Sequence, residues 1–157
     1  MALVKGVNSH VDVAEGDAYF EDRLDAETWR TASNTVKGQA LVSATSALEE
    51  MPWCSVAVSE SQSLAFPRTG LYFDPRLGYG VALNPTPLRV KKATMELALH
   101  LLDNPDAMEN SSSISGLAID SIKLFNMKDA PKMPNAIRRI LKPLLINQGM
   151  QTWWRAN

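Results

Sequence analysis

In residues 88–102 the side chains after Lys92 are apolar around nearly the whole circumference of a helical projection. Pro87 favours a helix that begins at Leu88, and the Asp-Asn-Pro sequence at 103–105 favours its end. A helix with such a surface is buried on all sides, so the rest of the chain must pack around it. Leu97, near its middle, is predicted to be a core residue. The stripe at helical spacing and the residues that widen it are Val90, Ala93, Thr94, Leu97, Ala98 and Leu101, then Met95, Leu99 and Leu102.

Three further helices are predicted, over 13–23, 34–50 and 135–146. Asp12 and Glu15 have the spacing of a capping box, which favours a helix start at residue 13. Val13, Phe20 and Leu24 are expected on the apolar side of that first helix. Ser33 or Asn34 can cap the second helix, and Asn135 can cap the last one. Pro143 is expected to kink or end the last helix, whose basic side carries Arg138, Arg139 and Lys142.

Residues 52–87 cannot form a helix of normal length because five prolines and three glycines interrupt them. The apolar residues of this stretch argue against disorder, and Phe66 and Tyr72 are predicted to anchor it. A short hairpin is expected near Leu71–Val81. Further along, 103–116 is expected to be a mobile connector, and 117–125 could be one strand.

The predicted fold class is therefore mainly α: a small helical bundle with a long inserted loop and short β-hairpin region and an extended C-terminal arm. Residues 1–145 are assigned to one helical domain, with the loop insertion at 52–87, and 146–157 to a docking arm. The chain of 157 residues is long enough for one core. No apolar run reaches the length of a membrane span, and nothing at the start resembles a signal peptide. Cys54, as the only cysteine, excludes an internal disulfide.

Charge is distributed unevenly along the chain, although its net charge is only −1. Residues 1–60 contain ten acidic and four basic residues, whereas residues 121–157 contain seven basic residues and one acid. Such asymmetry indicates an acidic partner at the basic end, which could be another protein, a nucleic acid or the acidic end of a neighbouring copy. A solvated polar face is the alternative.

The residues offer no recognisable catalytic chemistry. Phosphate-binding, dinucleotide-binding, nucleophile-elbow and zinc-protease motifs are all missing, and one cysteine with two distant histidines cannot make an ordinary zinc site. The acidic residues between 12 and 27 are better explained as the solvated face of a short helix than as a metal site. We therefore predict a binding or structural protein, with no enzymatic activity, no cofactor and no metal.

Two segments are candidates for binding a partner. In the loop at 66–70, Pro67 restricts Phe66 and Gly70 permits a positive φ, so an arginine is held on a stiff turn. A plain structural turn is the alternative. The tandem tryptophans near the C-terminus suit a partner's pocket, with packing on the chain's own core as the alternative. The loop residues are Phe66, Pro67, Arg68, Thr69 and Gly70, and those proposed to contact a partner protein or a neighbouring subunit are Arg138, Arg139, Lys142, Trp153, Trp154 and Arg155.

Four separate sequence segments occur together in this order: Ser9 to Phe20, Lys37 to Leu48, Gln62 to Gly70 and Ala93 to Leu99. With this order and spacing the chain resembles the small head–tail adaptor (connector) proteins of tailed phages, a family often labelled DnaT-like single-stranded DNA-binding. The resemblance covers residues 9–103 well and 136–145 loosely. The final dozen residues depart from the family pattern.

The resemblance implies a mostly helical adaptor that forms a twelve-copy ring under the portal, around the DNA channel. Its C-terminal segments would engage the portal, and its opposite side would meet the next tail or nozzle component. The expected location is the virion neck, after assembly in the host cytoplasm, with DNA passing through without specific binding and with no membrane contact. The alternative is a single-stranded DNA-binding replication protein, which needs aromatic residues interleaved with basic ones. The chain shows this arrangement only at its C-terminus.

Overall fold

The computed structural model describes residues 2–104 and 133–146. Its helices are α1 (Val13–Phe20), α2 (Glu27–Thr31), α3 (Asn34–Glu49), α4 (Leu88–Asp103) and α5 (Asn135–Leu141), and a 3-10 turn follows at Lys142–Leu144. The strands are β1 (Leu71–Asp74) and β2 (Tyr79–Ala82). The predicted class, mainly helical with an inserted hairpin, is confirmed. The predicted strand at 117–125, most of the connector at 103–116 and the arm at 147–157 lie outside the described residues.

The long helices α3 and α4 pack against each other along their length, and α5 and α2 pack on α4. Leu97 has no exposed surface, which confirms that α4 is central. Buried side chains from every helix and from the insertion form one core around it. None of the described helices is long and apolar enough to cross a membrane.

The helix starts follow the capping signals in the sequence. Asp12 and Glu15 form the predicted capping box, with the Asp12 carboxylate accepting from the Glu15 amide at 2.8 Å. Ser33 caps α3 by accepting from the amide of Val36 at 3.4 Å. The last helix differs slightly from the prediction, because Pro134 is its N-cap and Asn135 its first residue.

Two helix ends lie earlier than predicted. The first helix stops at Phe20 rather than residue 23, so Leu24 falls in the turn before α2 and is 99% exposed. Its placement on the apolar side was wrong. The α-helix α5 stops at Leu141 because Pro143 lacks an amide hydrogen, and the chain continues as a 3-10 turn to Leu144. Trp29 is buried and lies on the short helix α2, which was not predicted.

The insertion at 52–87 is an ordered structure built around the hairpin. Its strands are antiparallel, with Leu71 opposite Ala82 and Phe73 opposite Gly80. Phe66 and Tyr72 are buried, as predicted. The peptide bond between Phe66 and Pro67 is cis.

Candidate functional site

The exposed side of α5 carries a group of three basic residues that we call the α5 basic cluster: Arg138, Arg139 and Lys142. Ile137 and Leu141 point into the core, which forces their basic neighbours outward. Arg138 and Lys142 are four residues apart and therefore share one line of the surface. Within the described part of the chain, none of these three cations has a carboxylate within 4 Å.

The α5 basic cluster borders a surface concavity of about 640 Å³. The concavity lies where the end of α3 meets the chain that follows α5. Two backbone hydrogen bonds fix this junction: the Cys54 amide donates to the Leu144 carbonyl and the Ile146 amide donates to the Pro52 carbonyl, each at 2.9 Å. The lining combines cations with apolar surface: Met51, Asn135, Arg138, Arg139, Lys142, Leu145 and Ile146.

One face of the hairpin forms a second candidate surface, the apolar hairpin face, made of Leu71, Phe73, Gly80 and Ala82. Alternation along β1 turns Tyr72 and Asp74 inward, so Leu71 and Phe73 stay 68% and 62% exposed. Val56 and Val58, on a neighbouring segment that bonds to Thr69 and Pro67, add exposed apolar surface. Such contiguous apolar exposure is typical of an interaction surface.

A buried ion pair fixes the hairpin to the helices. The Arg89 guanidinium donates to both carboxylate oxygens of Asp74, at 2.7 and 3.1 Å, and to the Ile140 carbonyl at 3.1 Å. The Tyr72 hydroxyl and the Arg76 amide also donate to Asp74. Arg89 holds the pKa of the Asp74 carboxyl well below its usual range, because its hydrogen bonds outweigh the opposing effect of burial.

The loop at 66–70 uses most of its predicted contact groups internally. The Arg68 guanidinium donates to the carbonyls of Cys54, Ser55 and Ala65, and the Phe66 ring packs on Trp53. Gly70 has the expected positive φ of 84°. These contacts describe a structural turn, and only Thr69 and Gly70 are exposed. Contact of this loop with a partner stays a prediction.

The other predicted site residues divide between two parts of the chain. The structure brings Arg138, Arg139 and Lys142 together, whereas Trp153, Trp154 and Arg155 lie outside the described residues. Sequence reasoning missed Met51 and Ile146, which give the concavity its apolar lining, and the outward direction of Leu71 and Phe73. Alternation of inward and outward residues in β1 was the available signal for the latter.

Several of the other cations in the described part of the chain are paired with acidic residues. Lys5 and Lys91 both pair with Glu15, Lys37 pairs with Asp17, and Arg30 pairs with Glu27. The α5 basic cluster is therefore the main concentration of positive charge without acidic partners among residues 2–104 and 133–146.

The fold and these surfaces define a small helical domain with an inserted hairpin and two candidate binding surfaces. A sequence model of one family matches residues 2–156, and its description is "Putative DnaT-like ssDNA binding protein". Because the match spans nearly the whole chain, the protein belongs to this family. No curated protein and no solved structure matches the chain significantly. The family label predicted from the sequence is confirmed, and the description does not mention a head–tail adaptor.

Proposed function

We propose that this protein is a structural head–tail adaptor of a tailed phage, which forms a ring that joins the portal to the tail around the DNA channel. The observation that carries this proposal is the apolar hairpin face. A monomer gains nothing by leaving Leu71 and Phe73 in water, whereas a second protein surface would bury both side chains. We assign the protein to the virion neck and give it no catalytic role.

The pattern of ion pairs supports a protein partner. Single-stranded DNA binding relies on a basic groove that follows the phosphates and on aromatic rings that stack with bases. In the described residues, Lys5, Lys37 and Lys91 are bound to carboxylates, and competition from these carboxylates would weaken phosphate binding. The exposed ring of Phe73 belongs to an aliphatic surface with Leu71 rather than to a basic groove.

Replacement of Leu71 and Phe73 by serine tests the adaptor function. Both side chains point into solvent, so the double variant should fold normally, with an unchanged melting temperature. We expect it to lose stable co-sedimentation with portal-containing heads, because the contact loses its apolar anchors. Val7→Ser is the matched control, since Val7 is also exposed but lies in the N-terminal turn. Wild-type stoichiometry of the double variant on heads would contradict the proposal.

Single-stranded DNA binding is the second candidate, favoured by the family's description and by the α5 basic cluster. It can be measured by fluorescence titration with a short labelled oligonucleotide at two salt concentrations. We expect no tight binding at physiological salt. If instead the wild type binds at nanomolar concentration, Arg138→Glu abolishes that binding and its affinity falls steeply with salt, the replication function replaces the adaptor function.

A further inference from the structure

We propose that copies of this chain join head to tail, with the acidic turn at residues 21–25 of one copy seated in the α5 concavity of the next. The inference rests on the proposed function, since it names the contact that would build the ring. Its occupant is a second copy of this chain. Two features support this contact: the complementary charge of the two surfaces and the fully exposed side chain of Leu24.

The acidic turn presents an apolar side chain inside a negatively charged frame. Leu24 is 99% exposed, an exposure typical of a side chain with no partner in its own monomer. Three acidic residues and one arginine within 21–25 give this turn a net charge of −2. The acidic residues around Leu24, all of them exposed, are Glu21, Asp22, Asp25 and Glu27.

Contacts on both sides of Leu24 hold the turn in place. The Arg23 guanidinium donates to both oxygens of Asp25, at 2.9 and 2.7 Å, and also bonds to Glu96 of α4. Ala26, which follows, has no exposed surface. A preorganised turn loses little conformational entropy on binding, so its exposed leucine can act as an anchor.

The concavity has the complementary character. Arg138, Arg139 and Lys142 provide positive charge at its border, while Met51, Leu145 and Ile146 provide apolar surface. An aliphatic side chain framed by carboxylates matches both features at once. Complementary charges steer the two copies into register, and burial of the leucine adds affinity.

The two surfaces adjoin different parts of α4. Arg23 bonds to Glu96 and Thr28 bonds to Asp103, which places the acidic turn beside the C-terminal half of α4. The concavity adjoins another part, where Met51 follows α3 and Arg89, at the start of α4, bonds to Ile140. Each of these helices has 16 residues and is therefore about 24 Å long.

When a contact joins two different surfaces of identical copies, each copy can bind the next one in the same orientation. Such heterologous contacts close into a ring when the rotation between copies is suitable. A single acidic turn and a single concavity per copy are sufficient for this, since each copy then gives one contact and accepts one. The ring of the proposed function requires this kind of contact.

Charge reversal on each surface, followed by mixing, tests the contact. One variant carries Glu21→Lys and Asp22→Lys, and the other carries Arg138→Glu and Arg139→Glu. Analytical ultracentrifugation of the full chain and copy number on portal-containing heads are the measurements. We expect each variant alone to associate at least about tenfold more weakly than wild type. An equimolar mixture should regain assembly, because each reversed surface then meets a complementary one.

Two further variants separate folding from binding. Leu24→Ala removes only an exposed side chain, so it should keep the wild-type melting temperature and still weaken association. Glu60→Lys reverses an exposed acid of the insertion and should assemble like wild type. Equal assembly of Leu24→Ala and both reversal variants with wild type would overturn the inference while leaving the adaptor function intact.

The remaining outcomes identify other occupants. If the α5 reversal blocks attachment to heads while free copies still associate normally, the concavity binds the portal, and the inference is overturned. If a chain ending at Ile146 associates more tightly than wild type, the chain's own C-terminal segment fills the concavity. That result would also overturn the inference. If the wild type assembles neither alone nor on heads, the proposed function itself fails and the inference with it.

Discussion

Because Gly16 has no Cβ atom, the Trp29 side chain can pack directly against α1. A Cβ at Gly16 would lie 2.5 Å from Trp29 Cζ2, well inside van der Waals contact. The indole is only 1% exposed, and its Nε1 donates to Asp17 at 2.9 Å. Its surroundings therefore oppose a shift of the ring away from α1. A glycine inside a helix usually only weakens that helix, whereas Gly16 leaves the space that the core residue Trp29 occupies.

Replacement of Gly16 by alanine should therefore destabilise the protein, although alanine favours a helix by about 1 kcal/mol. Overpacking against Trp29 is expected to lower the free energy of unfolding by about 1–3 kcal/mol. Urea denaturation of both proteins measures this difference. The matched control is Gly38→Ala in α3, where the added Cβ would meet only Leu3 at 3.7 Å. That variant should be as stable as wild type or up to about 1 kcal/mol more stable, and equal gains at both positions would contradict the role given to Gly16.

At the scale of elements, α4 is the helix on which the others depend. It contacts α2, α3 and α5, and eight of its residues are buried. The apolar side chains of α4 are buried because its different sides contact different neighbouring helices. A cavity in the middle of α4 would therefore remove packing contacts from several elements at once.

Leu97→Ala should lower the free energy of unfolding by about 2–5 kcal/mol, because it leaves a cavity where the side chain has no exposed surface. Leu88→Ala in the same helix is the control: Leu88 is 54% exposed, and a change within about 0.5 kcal/mol is expected. Chemical denaturation gives both values. Similar losses for the two variants would contradict a central position for α4.

The hairpin depends on its ion pair with α4, which gives its attachment a pH dependence. The pKa of Asp74 is lowered in the folded state, chiefly by the hydrogen bonds from Arg89. A lowered folded-state pKa stabilises the protein above the unfolded-state pKa of about 4, and this stability is lost as pH falls through the lower, folded-state value. Asp74→Asn should therefore be less stable than wild type at pH 7, with a difference that shrinks below about pH 4.

Thermal unfolding followed by circular dichroism between pH 7 and pH 2 provides this comparison. Glu60→Gln removes a carboxylate from the exposed part of the insertion and should follow the wild-type profile. A constant difference between Asp74→Asn and wild type at every pH would show that the ion pair does not control this attachment.

At the scale of the whole molecule, the acidic N-terminal part neutralises most of its own cations, and positive charge collects towards the C-terminus. The α5 basic cluster and the last residues of the chain share this charge. The core formed by residues 2–104 and 133–146 contains buried side chains from each of the five described helices. Folding and attachment can therefore be separated experimentally.

Deletion of residues 150–157 should leave the melting temperature unchanged and abolish stable attachment to portal-containing heads. The reason is that Trp153 and Trp154 are large apolar anchors, each expected to cost about 2 kcal/mol or more of binding when truncated. A tail of the same length made of glycine and serine is the control for chain length and should fail to attach as well. Co-sedimentation of the deleted chain at wild-type stoichiometry would contradict this prediction.

Local signals in the sequence determined the starts of α1, α3, α4 and α5, the burial of α4, the absence of a helix from 52–87 and the position of the hairpin. The capping box at Asp12 and Glu15 and the restriction at Pro143 act within a few residues, so they can be read without a fold. The family was also evident from segments spread along the chain. Apart from the family, these properties depend on neighbours in sequence.

Only the tertiary structure decided which side chains face water and which charges remain unpaired. Leu24 is exposed because α1 ends one turn early, and the α5 basic cluster stands out because Lys37 and Lys91 find acids 20 and 76 residues away. Periodicity cannot reveal such partners, since burial and ion pairing depend on groups that are distant in sequence and adjacent in space. The candidate surfaces therefore follow from packing, whereas the elements that carry them follow from the sequence.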